Sequence, residues 1–359
     1  MSEIRILAIN PGSTSTKFAV YFGSECRLKM NLNHSVEELC FYTNIIDQFD
    51  FRKGAIMDLL VKENVELDKI KYIVGRGGFT YPLKSGVYLI NNIMLEHLRA
   101  GICGQHASNL GPLIANYFAR LIPGAHAYMA DPVVTDEMED IARVSGYPEF
   151  ERRSIFHALN QKAIARRHAK IIGRQYGELN LIVAHLGGGI SVGAHKNGKV
   201  IDVINAFDGE GPFSPERSGS LPLRQIIDHC FSNKYDKDEI QRMINGEGGY
   251  VAYMGTNDAR EVGERAKGGE KMAIKIQDAL GYQISKAIGE MSVVLNGHID
   301  AILLTGGLAY NYYLVQYIIK KVQFLAEVHV YPGEDELESL ALNVLPVALG
   351  EIEPLNYPY

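Results

Sequence analysis

Short apolar runs separated by polar turns mark the start of the chain. Residues 6–9 are apolar and end at Asn10-Pro11-Gly12, and a second strand-like run, residues 18–22, follows four hydroxyl residues and Lys17. Proline and glycine favour a turn at this point, so the pattern predicts a β-hairpin. The side chains of the turn supply four hydroxyls, an amide and an ammonium. The loop is therefore a candidate phosphate site.

This loop differs from the P-loop, in which a glycine-rich turn and a lysine lead from a strand into a helix. Here Gly12 lies five residues before Lys17, no second glycine precedes the lysine, and β-type residues follow it. Any phosphate contacts must therefore come from a strand–turn–strand. An ordinary polar hairpin is the alternative, and the choice depends on the rest of the chain.

Helical and strand-like periods alternate downstream, which is typical of an α/β fold. Helices are predicted at residues 92–100, from about 112 to 121, at 154–176 with Ser154 as N-cap, at 271–296, at 312–325, and from about Asp335 to a kink or early end at Pro346. Buried strands are predicted at residues 71–74, 127–130, 301–304 and 328–331.

The hairpin pattern returns at residues 181–194, where a second strand–turn–strand has His185 to Gly189 as its turn. Laid over the first hairpin, Asn10 falls on His185. A second correspondence links residues 73–78 with 303–307, each a strand that ends in a double glycine. The same two features in the same order predict a duplicated unit and two packed halves with a cleft.

Composition narrows the class of protein. The chain has 359 residues, of which 47% are hydrophobic and 22% charged, as in ordinary globular proteins. A net charge of −6 argues against nucleic-acid binding. The four cysteines are scattered without metal-ligand spacing, and no apolar run is long enough to span a membrane. We expect a soluble cytoplasmic protein whose first residues form a strand and not a signal peptide.

Glycine-rich turns supply candidate binding groups. Backbone N–H groups of Gly187, Gly188 and Gly189 could donate to phosphate oxygens. The turn at Gly306 and Gly307, with Tyr310 and Asn311 beyond it, would let the backbone approach a flat base closely.

Two arginines stand next to glycines, Arg76 in G-R-G-G and Arg217 in P-E-R-S-G. Flanking glycines leave the guanidinium reachable, and its planar fork matches carboxylate or phosphate oxygens. A surface arginine is the alternative for each. For Mg²⁺ the candidates are Asp131 and the acidic cluster at 334–338, although acidic residues at a helix start also complement the helix dipole.

Motifs across nearly the whole chain resemble those of the acetate and butyrate kinase family, in the sugar-kinase/Hsp70/actin superfamily. They are INPGSTSTK, GRGG, CGQHASNLGP, Ala-Asp-Pro at 130–132, AHLGGGISV, PFSPERSG and LTGGLAYN. The resemblance implies two duplicated actin-like (ribonuclease H-like) domains with a nucleotide cleft, and transfer of a phosphoryl group from ATP to a short carboxylate with Mg²⁺. We expect the domains at 1–153, joined by a C-terminal helix at about 340–359, and at 154–339, which binds nucleotide.

The resemblance also implies roles by position. Arg76 and Arg217 would bind the carboxylate and the transferring phosphoryl group, and His157 would stabilise the transition state. The implied phosphate loops are Asn10, Ser13, Ser15 and Lys17, and His185 to Gly189. His106 matches an active-site histidine of the family. Asp131 and Glu338 would hold Mg²⁺, with Glu336 as the alternative to Glu338 at that spacing.

These roles agree with elementary chemistry, because a carboxylate is already ionised at pH 7 and needs no general base. Catalysis can then rest on charge neutralisation and in-line positioning. Two arginines, a histidine and Mg²⁺ would supply that charge.

Departures from the acetate-kinase pattern resemble the butyrate kinases of the family. They are Gly188 at an asparagine position, Pro215-Glu216 before Arg217, and Gly78 where an apolar side chain is usual. A glycine at 78 is expected to enlarge the acyl pocket. One methylene is worth only about 1–3 kcal/mol, so tolerance of other short straight and branched acids is expected.

The leading hypothesis is therefore reversible transfer, butanoate + ATP = butanoyl phosphate + ADP, by a homo-oligomer of two or more copies. Acetate, propionate or a branched acid as the preferred acceptor is the alternative. A sugar kinase is more distant, because it would need an aspartate base. A non-catalytic nucleotide switch is disfavoured by the presence of Lys17, Arg76 and Arg217.

Overall fold

The computed structural model describes residues 4–205 and 207–359. The chain divides into two compact units, the first made of Met1–Thr135 with Asp335–Tyr359 and the second of Asp136–Glu334. The domain limits expected from the sequence, 1–153 with 340–359 and 154–339, stay a prediction.

The strands are β1 Arg5–Pro11, β2 Ser15–Phe22, β3 Glu25–Asn33, β4 Tyr72–Arg76, β5 Val87–Leu89, β6 His126–Ala130, β7 Leu181–Leu186, β8 Ile190–Lys196, β9 Lys199–Val203, β10 Ala301–Gly306, β11 Val328–Pro332 and β12 Leu355–Asn356. The α-helices are α1 Val36–Leu39, α2 Phe49–Lys62, α3 Asn92–Ala100, α4 Leu110–Leu121, α5 Asp140–Arg143, α6 Ala158–Ile171, α7 Leu223–Cys230, α8 Lys237–Ile244, α9 Tyr250–Met254, α10 Ala259–Lys267, α11 Lys271–Val294, α12 Tyr312–Val322 and α13 Glu336–Ala348. Each of these helices is too short or too polar to cross a lipid bilayer.

The first unit is built on a sheet of order β12-β5-β6-β4-β1-β2-β3. β1, β2 and β3 form an antiparallel meander, whereas β1, β4 and β6 run parallel. All residues of β1 are buried, while β3 alternates between half-buried and exposed positions, as expected for a central and an edge strand. Apolar residues of α2 and α4 pack on β1 and β2 and complete the core.

The second unit repeats this arrangement in a sheet of order β11-β10-β7-β8-β9. β7, β8 and β9 form an antiparallel meander, and β7, β10 and β11 run parallel. The long helix α11 packs on this sheet through apolar residues at helical spacing, Ile276, Leu280, Ile284, Ile288 and Met291. Five strands therefore agree in order and direction, which confirms the predicted duplication.

The strand ladders place the two hairpins in comparable positions within their sheets. Ile9 pairs with Gly75 in the first unit, and His185 pairs with Thr305 in the second. The turn between Pro11 and Thr16 encloses one residue more than the turn between Leu186 and Ile190. The alignment of Asn10 with His185 stays a prediction.

Most predicted elements are confirmed to within a few residues, but the helix at 154–176 was predicted too long. α6 begins at Ala158 with His157 as its N-cap. It ends at Ile171, because Gly173 takes a left-handed conformation with φ 70°. Pro346 does not end α13, which continues to Ala348. The Leu342 carbonyl that proline leaves without a donor belongs to an exposed residue, where water can bind it.

Candidate functional site

The first hairpin loop is held from behind by a buried arginine on α2. Arg52 is fully buried, and its Nη1 donates to the carbonyl oxygens of Gly12 and Ser15 at 2.8 Å each and to Thr16 Oγ1 at 3.0 Å. Its Nη2 donates to the Ser13 carbonyl oxygen at 3.0 Å. The guanidinium thus collects three carbonyl groups of one loop.

This contact orients the loop amides. In a trans peptide the N–H points away from the carbonyl of the same unit, and the described peptide bonds include no cis bond. The N–H groups of Ser13 and Thr14 therefore point away from Arg52, on two residues that are exposed. Outward N–H groups above a cation form a surface that favours an anion.

Arg52 is not paired with a carboxylate in the part of the chain that the structure describes; its remaining bonds go to Gln48. Burial lowers its pKa to about 10, which leaves it charged at neutral pH. Arg52 was not among the site residues predicted from the sequence. A signal was present, because Arg52 continues the buried stripe of Ile56 and Leu60 at a spacing of four residues.

Lys17 lies opposite Asn10 in the hairpin ladder, so their side chains share one face of the sheet. Within the described residues its ammonium has no side-chain hydrogen bond or ion pair, and the residue is half-buried. Ser15 is half-buried as well, and Ser13 is exposed.

Asn10 and Arg76 form a cluster with Glu336, the first residue of α13. Arg76 Nη1 lies 2.8 Å from Glu336 Oε1 and donates to Asn10 Oδ1 at 3.3 Å. Asn10 Nδ2 donates to the other oxygen of Glu336. The side chains of Arg76 and Glu336 are 19% and 10% exposed, so this ion pair is largely screened from water.

Of the two carboxylates left open by the sequence, Glu336 and not Glu338 lies in this cluster. Asp335 caps α13 through the Glu338 backbone N–H, which fixes where the helix begins. Two residues on, the side chain has turned about 200° around the helix axis, and Glu338 is exposed.

Asp131 ends β6 with a left-handed backbone, φ 37°, and is buried. Its Oδ1 accepts hydrogen bonds from Ser85 Oγ at 2.6 Å and from the Gly86 N–H at 3.0 Å. Among the described residues, groups of three or more His, Cys, Asp or Glu arranged for a metal ion are absent. Mg²⁺ sites often use only one or two carboxylates, together with phosphate oxygens and water. Such a site needs fewer protein ligands than a group of three.

His106 caps the short 3₁₀-helix Ala107–Asn109. Its Nδ1 accepts from the Ser108 N–H at 3.2 Å and lies 2.9 Å from Ser108 Oγ. The ring also makes an edge contact with Phe79. These contacts fix the ring, with Nδ1 as an acceptor.

Gly78 was expected from the sequence to enlarge the acyl pocket, but in the structure it does not. A Cβ at this position would lie 2.2 Å from Asn109 Oδ1 and 2.6 Å from Asn109 Cα. Asn109 accepts a hydrogen bond from the Phe79 N–H at 2.9 Å and donates to the Gly104 carbonyl at 3.0 Å. The space that glycine leaves is filled by this asparagine.

We therefore expect Gly78→Ala to destabilise the protein by about 1–3 kcal/mol, the usual cost of overpacking, without changing which acid is preferred. Urea unfolding and the ratio of kcat/KM for acetate and butanoate would measure the two effects. Gly54→Ala is the control, because a Cβ there meets nothing within 4 Å and a helix favours alanine. A shift towards acetate with unchanged stability would contradict the prediction.

In the second unit, Arg217 lies against the turn of the second hairpin. A Cβ at Gly189 would lie 2.1 Å from Arg217 Nη1, so only glycine admits the guanidinium there. Arg217 Nε donates to Asn245 Oδ1 at 3.1 Å, and the guanidinium lies 5.4 Å from the Phe207 ring centroid. Burial lowers the pKa of Arg217, while Glu216 and Asp208 oppose that change.

The same turn is closed by its own backbone. The Gly187 N–H donates to the Gly189 carbonyl at 3.1 Å, and the Gly188 carbonyl accepts from Ser214 Oγ. A small pocket beside Arg217 is lined by the apolar side chains of Ile190, Phe207 and Pro212 and by the polar side chains of Glu210 and Ser214.

The structure brings His157 and His185 together as stacked rings, with centroids 3.8 Å apart and planes at 13°. His185 Nδ1 lies 2.9 Å from Asn160 Oδ1, and its Nε2 lies 3.5 Å from Glu334 Oε2. His157 Nδ1 lies 2.9 Å from Ser191 Oγ. Both histidines are site residues predicted from the sequence, whereas their contact was not predicted.

The turn after β10 holds the other predicted nucleotide residues. Gly306 has φ 90°, and a Cβ there would lie 2.4 Å from the Leu186 carbonyl oxygen, whereas Gly307 borders open space. Tyr310 is exposed. Asn311 caps α12 through the Leu314 N–H at 3.1 Å and donates to Gln277 Oε1 at 2.8 Å. The Asn311 side-chain amide therefore stabilises the start of α12 and its contact with α11.

Comparison with known proteins shows which family the chain belongs to. The family model described as the acetokinase family matches residues 143–331. Butyrate kinase 2 of Clostridium acetobutylicum is 53% identical over 99% of both chains, and butyrate kinase 1 of the same organism is 50% identical over 98% of this chain and 99% of that one.

Among solved structures, acetate kinase of Porphyromonas gingivalis has a TM-score of 0.79 at 19% identity and covers 96% of this chain and 100% of its own. This likeness, with the two matching sheets, confirms the α/β fold with actin-like domains. The family model spans more than half of the chain and the relatives span nearly all of it: the chain belongs to the acetokinase family and is a carboxylate kinase.

Proposed function

We propose that the chain transfers the γ-phosphoryl group of ATP to butanoate and runs reversibly, giving butanoyl phosphate and ADP. The observation that carries the choice of acid is Arg217 with the small pocket beside it, whose lining is partly apolar. A guanidinium suits the carboxylate, and the side chains of Ile190, Phe207 and Pro212 suit a short alkyl chain. The names of the two relatives support the same acid.

In this proposal a carboxylate oxygen attacks the γ-phosphorus in line, and the bond from that phosphorus to the β-phosphate oxygen breaks. No proton has to be removed, because the acid is ionised. Arg76 and Arg217 neutralise charge on the acid and on the moving phosphoryl group, and His157 donates a hydrogen bond to it.

Phosphate oxygens would bind the two hairpin loops. In the first loop, Ser13, Ser15 and Lys17 act beside Asn10. In the second, the backbone N–H groups of Gly188 and Gly189 contribute beside His185, whereas the Gly187 N–H, also expected from the sequence to bind phosphate, already donates within the turn. The outward N–H groups over Arg52 support the first assignment. Gly306, Gly307 and Tyr310 would receive the base, with Asn311 shaping that turn. His106 would orient the acid.

Asp131 and Glu336 are the residues we propose for Mg²⁺, in place of Asp131 and Glu338. Their donors are carboxylate oxygens, which Mg²⁺ prefers, and Asp131 is buried at a strand end. The bound ion would neutralise phosphate charge. We further propose a cytoplasmic homo-oligomer; exposed thiols at Cys26, Cys40 and Cys230 support a reducing compartment.

Trapping of acyl phosphate as the hydroxamate, with straight and branched acids of two to six carbons, tests the function. We expect kcat/KM to be highest with four carbons. Each methylene added or lost should lower kcat/KM by about 10-fold and by no more than about 200-fold. Phe207→Ala should move the optimum to a longer acid by opening the pocket. No product with any acid would exclude the function, and a different optimum would correct only the substrate.

A further inference from the structure

A buried chain of hydrogen bonds leads from His157 into the interior of the second unit. Its central member is Gln161, which is fully buried. The Gln161 side-chain nitrogen lies 3.1 Å from the Ser191 carbonyl oxygen and 2.9 Å from Ser191 Oγ. A carbonyl oxygen only accepts, so the amide nitrogen must face it. The orientation of the Gln161 amide follows.

The side-chain oxygen of Gln161 then determines the tautomer of a second histidine, His195. Gln161 Oε1 lies 3.0 Å from His195 Nε2, which must therefore carry a proton and donate it. His195 Nδ1 is 2.8 Å from the Tyr176 hydroxyl and accepts from it. Burial, with smaller effects of Lys162 and Arg166, lowers the pKa of His195 to about 3. A neutral ring has one proton, which agrees with this assignment.

At the other end of this chain of hydrogen bonds, Ser191 determines which ring nitrogen of His157 carries the proton. Ser191 Oγ accepts from Gln161 Nε2 at 2.9 Å and from the His157 backbone N–H at 3.4 Å. These donors occupy both lone pairs of the hydroxyl oxygen. Its own proton is left for His157 Nδ1, 2.9 Å away. His157 Nδ1 is thus an acceptor, and its ring proton is on Nε2.

We propose that Ser191 and Gln161, backed by His195 and Tyr176, are positioning residues that hold His157 as the neutral Nε2–H tautomer. His157 then presents one fixed N–H donor. That this donor serves the transferring phosphoryl group rests on the proposed function; the tautomer does not.

Protonation of His157 is opposed from both sides. A proton on Nδ1 would point at a hydroxyl oxygen that already accepts twice. On its face the ring stacks on His185, whose own Nδ1–H donates to Asn160 Oδ1. Glu334 lies 3.5 Å from His185 Nε2 and would favour charge on His185 first. Two stacked imidazolium rings would repel each other.

Long-range ¹H–¹⁵N spectra of the full chain test the tautomer directly, because the two ring nitrogens of each tautomer and of imidazolium have distinct shifts. We expect His157 to show the Nε2–H pattern throughout pH 6–8, with His195 in the same form. His157→Gln assigns the signals. A wild-type His157 in the Nδ1–H or imidazolium form at pH 7.5 overturns the proposal without any variant.

Ser191→Ala removes the fixed donor and Ser191→Thr keeps a hydroxyl. In Ser191→Ala the His157 signal should become a mixture of the two neutral tautomers. Its kcat should fall about tenfold, as for one lost hydrogen bond, with KM unchanged and a new pH dependence. Ser191→Thr should restore both. An unchanged tautomer in Ser191→Ala would refute the positioning role.

The spectra also separate this inference from the proposed function. The expected tautomer in a protein that makes no acyl phosphate would reject the function and leave the positioning role of Ser191 in place. Acyl phosphate formation with a wrong tautomer would do the reverse.

Discussion

Replacing Arg217 by alanine lowers kcat/KM for butanoate by about 10²–10³-fold, the usual cost of removing one preorganised donor. Its guanidinium is oriented before substrate binds, by Asn245 Oδ1, by the Phe207 ring and by the Gly189 backbone. Burial lowers its pKa, so it is poorly solvated and gains from a substrate anion. Steady-state kinetics with butanoate and ATP measure the loss, and urea unfolding measures stability, which should change little.

Two neighbouring glycines give a matched control for this interpretation. Gly189→Ala keeps the charge but displaces the guanidinium, because its Cβ would lie 2.1 Å from Nη1. A displacement of this kind costs about 10²-fold. Gly188→Ala adds the same methyl group one residue earlier, where the nearest atom is Glu216 Oε1 at 3.5 Å, an ordinary contact. Equal activity of the two variants would show that the position of Arg217 does not matter.

The fold could be predicted from local patterns because each pattern has a local physical cause. The first hairpin follows from apolar runs that flank Pro11 and Gly12, and α11 from a buried stripe at helical spacing. The repeated strand–turn–strand was visible because both hairpins bury their strands in the same order. The start of α6 was not visible, because His157 becomes its N-cap through tertiary contact with Ser191.

The site was harder to predict, since its contacts join residues far apart in sequence. Arg76 and Arg217 stand out because glycines flank them. Nothing local distinguishes Glu336 from Glu338; the choice is made by where Asp335 caps the helix and by Asn10. The role of Gly78 was wrong for the same reason, because the asparagine that fills its space is Asn109, outside the motif.

The second large effect is expected at Arg52, the residue that sequence reasoning missed. Arg52→Met should lower kcat/KM about 10²-fold, because the loop carbonyls of Gly12, Ser13 and Ser15 lose the donor that orients them. It should also cost about 1–3 kcal/mol of stability, since buried acceptors are left without partners. The measurements are kinetics at varied ATP and urea unfolding.

Lys17→Ala and Lys62→Met separate the two contributions. Lys17 lies on the loop face, and its ammonium has no ion pair with any described residue, so its loss should lower turnover and leave stability nearly unchanged. Lys62 is exposed at the end of the same helix as Arg52, and its replacement removes one positive charge without touching the loop. Both activity and stability should survive that change.

These variants decide whether the first loop is a phosphate-binding loop or an ordinary polar hairpin. If Arg52→Met lowers stability and leaves kcat/KM unchanged, the loop is an ordinary polar hairpin with a buried clamp beneath it. If Lys17→Ala loses activity alone while Arg52→Met loses both, one cation meets the phosphate and the other holds the amides that face it. The loop then binds anions because its carbonyl groups are turned inward to Arg52, a property that no residue of the loop carries by itself.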